Sequence, residues 1–373
     1  MTTTPDVTAT PTASGLDEVV AAETALSDVD GQLGRLVIRG HTVEELVDAW
    51  TFEDVVALMW TGRMPDAAGR EAVRVSLARA RQAAFDLLPS LGGALGAPDA
   101  MEALRASVAH LWAKGGAGED RVQLIGAIPV FAAAWHRVRA GQRPVPPQAA
   151  LTHAADYLQM LSGQAPDAER VAGLDAYLCC VVDHGMNAST FVARAVASTG
   201  SDMVSAIVAA IGALKGPLHG GAPGPVLDMI DAIGRPDRAR AWVEAEVSAG
   251  HRIMGMGHRI YRVRDPRAAA LERAASKLEG SSAATDRLRM ARVVEREAQA
   301  VLAERHPERH LRANVEFYTA VLLEAVGMPR TLFSPTFAAS RVAGWCAHVE
   351  EQQRVGRLVR PSSRYVGPMP IGS

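Results

Sequence analysis

Lysine is almost missing from this chain. Only Lys114, Lys215 and Lys277 occur, so arginine carries nearly all of the 39 positive charges. Arginine is the planar, bidentate binder of carboxylate and phosphate, which makes individual arginines worth following. The 41 acidic residues bring the net charge to −2, so no global field recruits nucleic acid or an anionic membrane. Cysteine is equally scarce. Cys179, Cys180 and Cys346 have neither CxxC spacing nor disulfide-rich density, and they read as small buried residues of a reducing compartment. Apolar runs long enough to span a bilayer are missing, and the start "MTTTPDVTATPTASG" has no basic and no apolar region of a secretory signal. The expectation is a soluble, cytoplasmic protein whose residues 1–14 form a disordered tail.

What is present is helical signal. Residues 18–40 hold two short β-compatible runs around Asp30-Gly31, enough for a small hairpin. Beyond them "TVEELVDAW" and "TFEDVVALMWTG" open on a threonine cap followed by acids, and the second closes on Gly62. Helical spacing continues through 66–93, 99–114, 121–140 and 147–163. Residues 203–214, "MVSAIVAAIGAL", are apolar on nearly every face and predict a helix buried all round, in a core or a subunit interface. Residues 284–306 carry one apolar stripe and predict a surface helix whose Arg and Glu face solvent. The fold class is all-α.

Four stretches gather His, Arg, Gly and Pro beyond what helix packing requires. "DHGMNASTF" (183–191) sets His184 and Asn187 three apart, on one face if the segment is helical. "KGPLHGGAPGP" (215–225) surrounds His219 with glycine and proline, which leaves backbone N–H groups open to a ligand. Its HGG lacks a GxSxG elbow anywhere in the chain, and "GALKGP" misses the P-loop spacing. "GMGHRIYRVRDPR" (255–267) has only two of the three dinucleotide-loop glycines and reads as an anion site. In "FSPTFAASRVAGWCAHVEEQQRVGRLVRPSSRY" (333–365), Arg341 interrupts an apolar helix and needs an anionic partner, with His348 and Arg360 trailing. His306 and His310 flank Pro307 with no third ligand, so no zinc site is expected. Finally "ANVEFYTAVLL" (313–323) puts Glu316 into a nearly apolar run, behind Asn314 as a helix cap.

These strings, in this order and spacing, resemble the citrate synthase family. The matching stretches are "DHGMNASTFVARAVAST", "GPLHGGAP", "GMGHRIYRVRDPR", "NVEFY" and "SRVAGWCAHVEEQ…LVRPSSRYVGP", together with the amino-terminal "GLDEVVAAETALSDVDGQLGRLVIRG". The resemblance runs from about residue 15 to the end of the chain. It implies an all-α homodimer of two-domain subunits, the large domain being 15–215 with 316–373 and the small, closing domain 216–315. It is similar to the short dimeric type without an NADH-regulated extension.

The resemblance also implies roles. His219 matches the histidine that hydrogen-bonds the acetyl-CoA thioester oxygen. His258 matches the one that polarises the oxaloacetate carbonyl, and Glu316 stands where the general base is normally aspartate. His184, Arg267 and Arg341 match oxaloacetate ligands, and Arg360 matches the arginine supplied by the partner subunit. Arg262, Met256, Gly257 and Asn314 match positions near coenzyme A. Two neighbours also differ from the family's habit: Gly185 replaces glutamate and Pro223 replaces asparagine.

The chemistry suits these residue types. A thioester methyl is a weak acid, so it needs a fixed base and a donor aimed at the growing enolate oxygen. Neither metal nor cofactor is called for, coenzyme A being part of the substrate. The implied reaction joins acetyl-CoA to oxaloacetate, releases citrate and coenzyme A, and feeds the tricarboxylic acid cycle. A propionyl-CoA-using 2-methylcitrate synthase and a catalytically weak paralogue that binds coenzyme A or dicarboxylate stay open alternatives.

Overall fold

The computed structural model describes residue 16 and residues 19–219, 223–278 and 282–368. The expected tail, 1–14, lies outside the described residues. Strands β1 (Ser27–Asp30), β2 (Arg35–Ile38) and β3 (His41–Thr42) form one antiparallel sheet in that order, with Ser27 opposite Ile38 and Asp30 opposite Arg35. The hairpin read around Asp30-Gly31 is therefore present, extended by one short strand.

Helices make up the rest of the regular structure among the described residues. They are α1 (Val43–Ala49), α2 (Phe52–Thr61), α3 (Ala67–Leu87), α4 (Ala100–Val108), α5 (Ala117–Arg139), α6 (His153–Ser162), α7 (Ala168–Cys180) and α8 (Ala188–Ala197). Then come α9 (Met203–Leu214), α10 (Pro223–Ile233), α11 (Ala239–Ser248), α12 (Pro266–Ser276), α13 (Ser282–Arg305), α14 (Val315–Ala325) and α15 (Phe333–Val355). The starts are chemically explicit. Thr42 and Thr51 each form a reciprocal capping box, with Glu45 and Asp54 respectively, and α2 ends on Gly62 at φ 75°. A cap of this kind is worth about 1 kcal/mol.

Helix α15 is the spine of the molecule. It packs against α5, α7, α8 and α9, and it is buried along most of its length. Polar groups therefore enter the core on α15, and Arg341 and His348 must find partners there. At the other end of the site, α12 packs on α14, α1 and α7.

One expectation is met only in part within the chain, and one needs correction. On helix α9, Met203, Ile207, Ala210 and Leu214 are covered, while Ser205 is exposed and Val208, Ala209, Gly212 and Ala213 are half-buried, so this second stripe is the face the expectation leaves to a subunit interface. Helix α13 is more than a solvated face. Glu295 is buried, accepting from the Tyr318 hydroxyl at 2.6 Å and pairing with Arg264, while Arg287 pairs with Asp231 and Glu324. Charge spacing alone does not show which charges a neighbouring element will cover.

Candidate active site

The segment 183–187 is a loop rather than the helix whose face would join His184 to Asn187. Gly185 sits at φ 57°, in the left-handed region, and Asn187 is the cap of α8, accepting from the Thr190 N–H. A side chain at 185 would be strained, so glycine fits this backbone. His184 is buried beneath the loop. Its Nε2 lies 3.1 Å from the Tyr261 hydroxyl, and its ring meets His258 edge-on at a centroid distance of 5.6 Å. Burial first, then the charges of Arg267, His258, Arg341 and His219, hold His184 well below the usual histidine range.

His219 is placed by the start of α8. The backbone N–H of Ser189 points at His219 Nε2 at 3.3 Å, and the Ser189 hydroxyl lies 2.8 Å from the same nitrogen. Nε2 is thus the acceptor, and the ring proton belongs on Nδ1. Trp345 on α15 donates its indole N–H to the Ser189 oxygen at 3.2 Å, which ties the pair to the spine helix. Burial and then Arg341 bring the His219 pKa down to about 4, so the ring is neutral at pH 7.

His258 has the opposite tautomer. Its Nδ1 accepts the N–H groups of Ile260 at 3.0 Å and Tyr261 at 3.1 Å. The proton therefore sits on Nε2, beside the Arg267 guanidinium at 3.5 Å. Burial and Arg267 bring this pKa to about 4 as well. Two neutral rings each present one N–H.

Two buried arginines complete the cluster. Arg267 is forked onto Asp265 through Nε at 3.0 Å and Nη2 at 2.7 Å. Asp265 also caps α12 and accepts the Val315 N–H at 3.1 Å, so one carboxylate joins the start of α12 to the start of α14. Arg341 donates Nε–H to the Val181 carbonyl at 2.7 Å and lies over the Phe337 ring at 4.4 Å. Its buried Nη2 has no hydrogen-bond partner among the described residues. Burial pulls its pKa down to about 10, so it stays charged at pH 7.

Glu316 stands in the first turn of α14. Asn314 caps the helix by accepting the Glu316 N–H at 3.0 Å, as its place in the sequence suggests. The other end of Asn314 donates to the Gly257 carbonyl at 2.8 Å, and Met256 bridges to Ala313. Asn314, Met256 and Gly257 together clamp the His258 loop onto the start of α14. Burial, the largest cause, raises the Glu316 carboxyl to about 7; Arg267 opposes the rise and Asp265 adds to it. A carboxylate with that proton affinity is a base matched to neutral pH.

The structure thus gathers His184, His219, His258, Arg267, Arg341 and Glu316. It leaves Arg262 and Arg360 on the surface, the first beside the His258 loop and the second on the extended segment after α15. Ser189, Tyr261 and Asp265 belong to the site without having been singled out. For Asp265 a signal existed: an acid directly before Pro266 is a helix-start pattern, and it predicts the cap that α12 uses. Ser189 and Tyr261 carry no comparable mark.

Comparison with known proteins now adds to this geometry. The family model described as "Citrate synthase, C-terminal domain" matches residues 15–362. The citrate synthase of Deinococcus radiodurans is 34% identical over 364 residues, covering 95% of this chain and 96% of that protein. The crystal structure of citrate synthase from Thermotoga maritima superposes with a TM-score of 0.85 at 32% identity, over 96% of this chain and 97% of that one. A citrate synthase from Thermoplasma acidophilum, solved as a ternary complex with carboxymethyl coenzyme A and oxaloacetate, gives 0.84 at 27% identity, over 95% and 96%.

Proposed function

Because the chain belongs to the citrate synthase family, we propose that this enzyme condenses acetyl-CoA with oxaloacetate and hydrolyses the citryl thioester. The observation that carries the reading is Glu316, a half-buried carboxyl that partial desolvation raises to about 7 within a cluster of neutral histidines and cationic arginines. Glu316 takes a proton from the thioester methyl group. The N–H on His219 Nδ1 stabilises the enolate oxygen, and because the ring starts neutral it can strengthen that bond as charge grows. The enolate carbon then attacks the keto carbon of oxaloacetate. His258 Nε2–H polarises that carbonyl and supplies the proton to the new alkoxide.

The dicarboxylate is held by cations. Arg341 offers a buried Nη2 with no partner among the described residues, which is costly until an anion meets it. Arg267 is already neutralised in part by Asp265, so it orients more than it attracts. The Thermoplasma acidophilum enzyme was solved with a coenzyme A derivative and oxaloacetate, and these are the two ligand classes that this cluster suits.

Glutamate in place of aspartate lengthens the base by one methylene, roughly an ångström of reach. A displacement of that size costs on the order of 10²-fold when it is not compensated. Here the Asn314 and Asp265 contacts set the α14 backbone, and with it the reach of Glu316. The small domain (216–315) closes on the large one (15–215 with 316–373), and a second copy supplies Arg360. The half-covered stripe of α9 supports a homodimer. No helix among the described residues is long and apolar enough to cross a membrane, which accords with a cytoplasmic enzyme of the tricarboxylic acid cycle.

A thiol-release assay with oxaloacetate tests the reading. Acetyl-CoA is expected to turn over faster than propionyl-CoA, and Glu316→Gln is expected to lower kcat by about 10²–10⁴-fold. The reverse acyl preference would make the enzyme a 2-methylcitrate synthase. Binding of coenzyme A without turnover of either thioester would leave only a binding role.

A further inference from the structure

The β1–β2 hairpin touches the site at both of its ends. At the base, the Ser27 hydroxyl donates to Asp183 and accepts the Gly185 N–H, the latter at 3.0 Å, so the residues on either side of His184 share one anchor. Further along, Val29 packs on Gly185, where an added Cβ would meet the valine Cγ2 at 3.2 Å. At the tip, the Gly31 carbonyl accepts the Arg262 N–H at 2.9 Å. A Cβ on Gly31 would lie 2.3 Å from the Ile260 carbonyl oxygen and 2.9 Å from its carbon. Gly31 is not among the left-handed glycines, so its need is for space rather than for conformational freedom.

The strand of backbone that Gly31 grips is the one that grips His258. The N–H groups of Ile260 and Tyr261 both point at His258 Nδ1, while Ile260 O and Arg262 N–H face the hairpin. Tyr261 then reaches back to His184 through its hydroxyl. A single hairpin therefore joins the loop of His184 to the loop of His258.

We propose that Gly31 is a positioning residue for His258. Its missing side chain lets the hairpin tip seat the 260–262 backbone so that two N–H groups hold the proton of His258 on Nε2. The proposal rests on the reading of His258 as the hydrogen-bond donor to oxaloacetate. Alanine at 31 must push the Ile260 carbonyl back by roughly an ångström, and displacements of that size cost on the order of 10²-fold in rate.

The test is Gly31→Ala, with Gln32→Ala in the exposed neighbouring position as control. Expected for Gly31→Ala is a kcat lower by about 10–100-fold with the KM for acetyl-CoA within about threefold, and Gln32→Ala within about twofold of wild type throughout. Histidine-selective ¹⁵N NMR gives a readout independent of turnover. In the wild type His258 is expected as the Nε2–H tautomer; in Gly31→Ala that signal is mixed or shifted, with His219 unchanged. If Gly31→Ala does not fold, Gly34→Ala takes its place: its Cβ would meet the Val263 side chain of the same loop at 2.4 Å, and because Gly34 sits at φ 63° the backbone strain adds to the push, so only the His258 spectrum and not the rate is read from it. A folded variant with an unchanged His258 spectrum overturns the proposal, whatever its rate, as does a wild-type His258 protonated on Nδ1. A wild type that turns over no thioester but shows the expected tautomer would count against the function and leave the positioning intact.

Discussion

Arg81 and Arg341 are both fully buried arginines, at 0% and 1% exposure, and they are equipped in opposite ways. Arg81 on α3 donates to Asp156 at 2.5 Å, faces His153 Nδ1 at 3.1 Å and reaches the Leu151 carbonyl at 3.3 Å. Its charge is neutralised by a carboxylate inside the chain. Arg341 on α15 has a carbonyl, an aromatic face and an Nη2 with no partner among the described residues. The acid nearest to it in effect, Asp183, is already engaged by Ser27 and His348. One arginine completes a brace between α3 and α6; the other carries a charge that the fold leaves for a ligand. Burial is the same, so burial is not what marks a site. An uncompensated charge is.

The largest effects should come from swapping these arginines for methionine. Arg81→Met strands Asp156 in the core and is expected to cost about 3–5 kcal/mol of stability, with kcat per folded molecule little changed. Arg341→Met is expected to do the reverse. It should weaken oxaloacetate binding by about 2–5 kcal/mol while leaving the melting temperature level or higher, because a buried unpaired cation has been removed. Denaturant melts beside a KM determination check both; matching losses in the two variants would erase the distinction.

Ligand alone should sharpen it with a smaller effect. Oxaloacetate at about 100 times its Kd is expected to stabilise the wild type by about 2.7 kcal/mol, seen as a rise in Tm. The same rise should persist in variants of surface residues and fall below about 1 kcal/mol in Arg341→Met. Chloride at equal ionic strength controls for screening.

The contrast also separates what the sequence displays from what it hides. Caps were visible: Thr42, Thr51 and Asn314 act where local pattern places them, because a cap is a contact over three residues. The resemblance brought His184, His219, His258, Arg267, Arg341 and Glu316 into one expectation, and the structure gathers all six. Hidden were the contacts between distant segments. Gly31 against Ile260, Asp265 against Val315, and Ser189 against His219 each depend on tertiary placement, and no local period announces them. The buried Glu295 of α13 escapes the charge pattern for the same reason, since its cover comes from Tyr318 on α14.

The three histidines and Glu316 titrate in opposite directions, which gives a pH test. His184, His219 and His258 are held below the ordinary 6.5. Between about pH 6.5 and 4 the unfolded chain binds their protons and the folded one resists, so stability should fall as pH drops through that window. Glu316 is raised from 4.5 to about 7, so the folded state holds its proton more tightly. Its contribution is fully present below about pH 4.5 and is lost as pH rises through 7. Glu316→Gln removes that loss and keeps the volume. The variant should therefore be more stable than wild type at pH 8, by on the order of 1–3 kcal/mol, and the gap should narrow towards pH 5. In the wild type, kcat/KM should climb through pH 7 as the base ionises. A variant that is both slower and more stable at pH 8 is the signature of a carboxylate kept charged for chemistry; equal stability at both pH values would mean that Glu316 is solvated and its base role lacks the burial on which it rests.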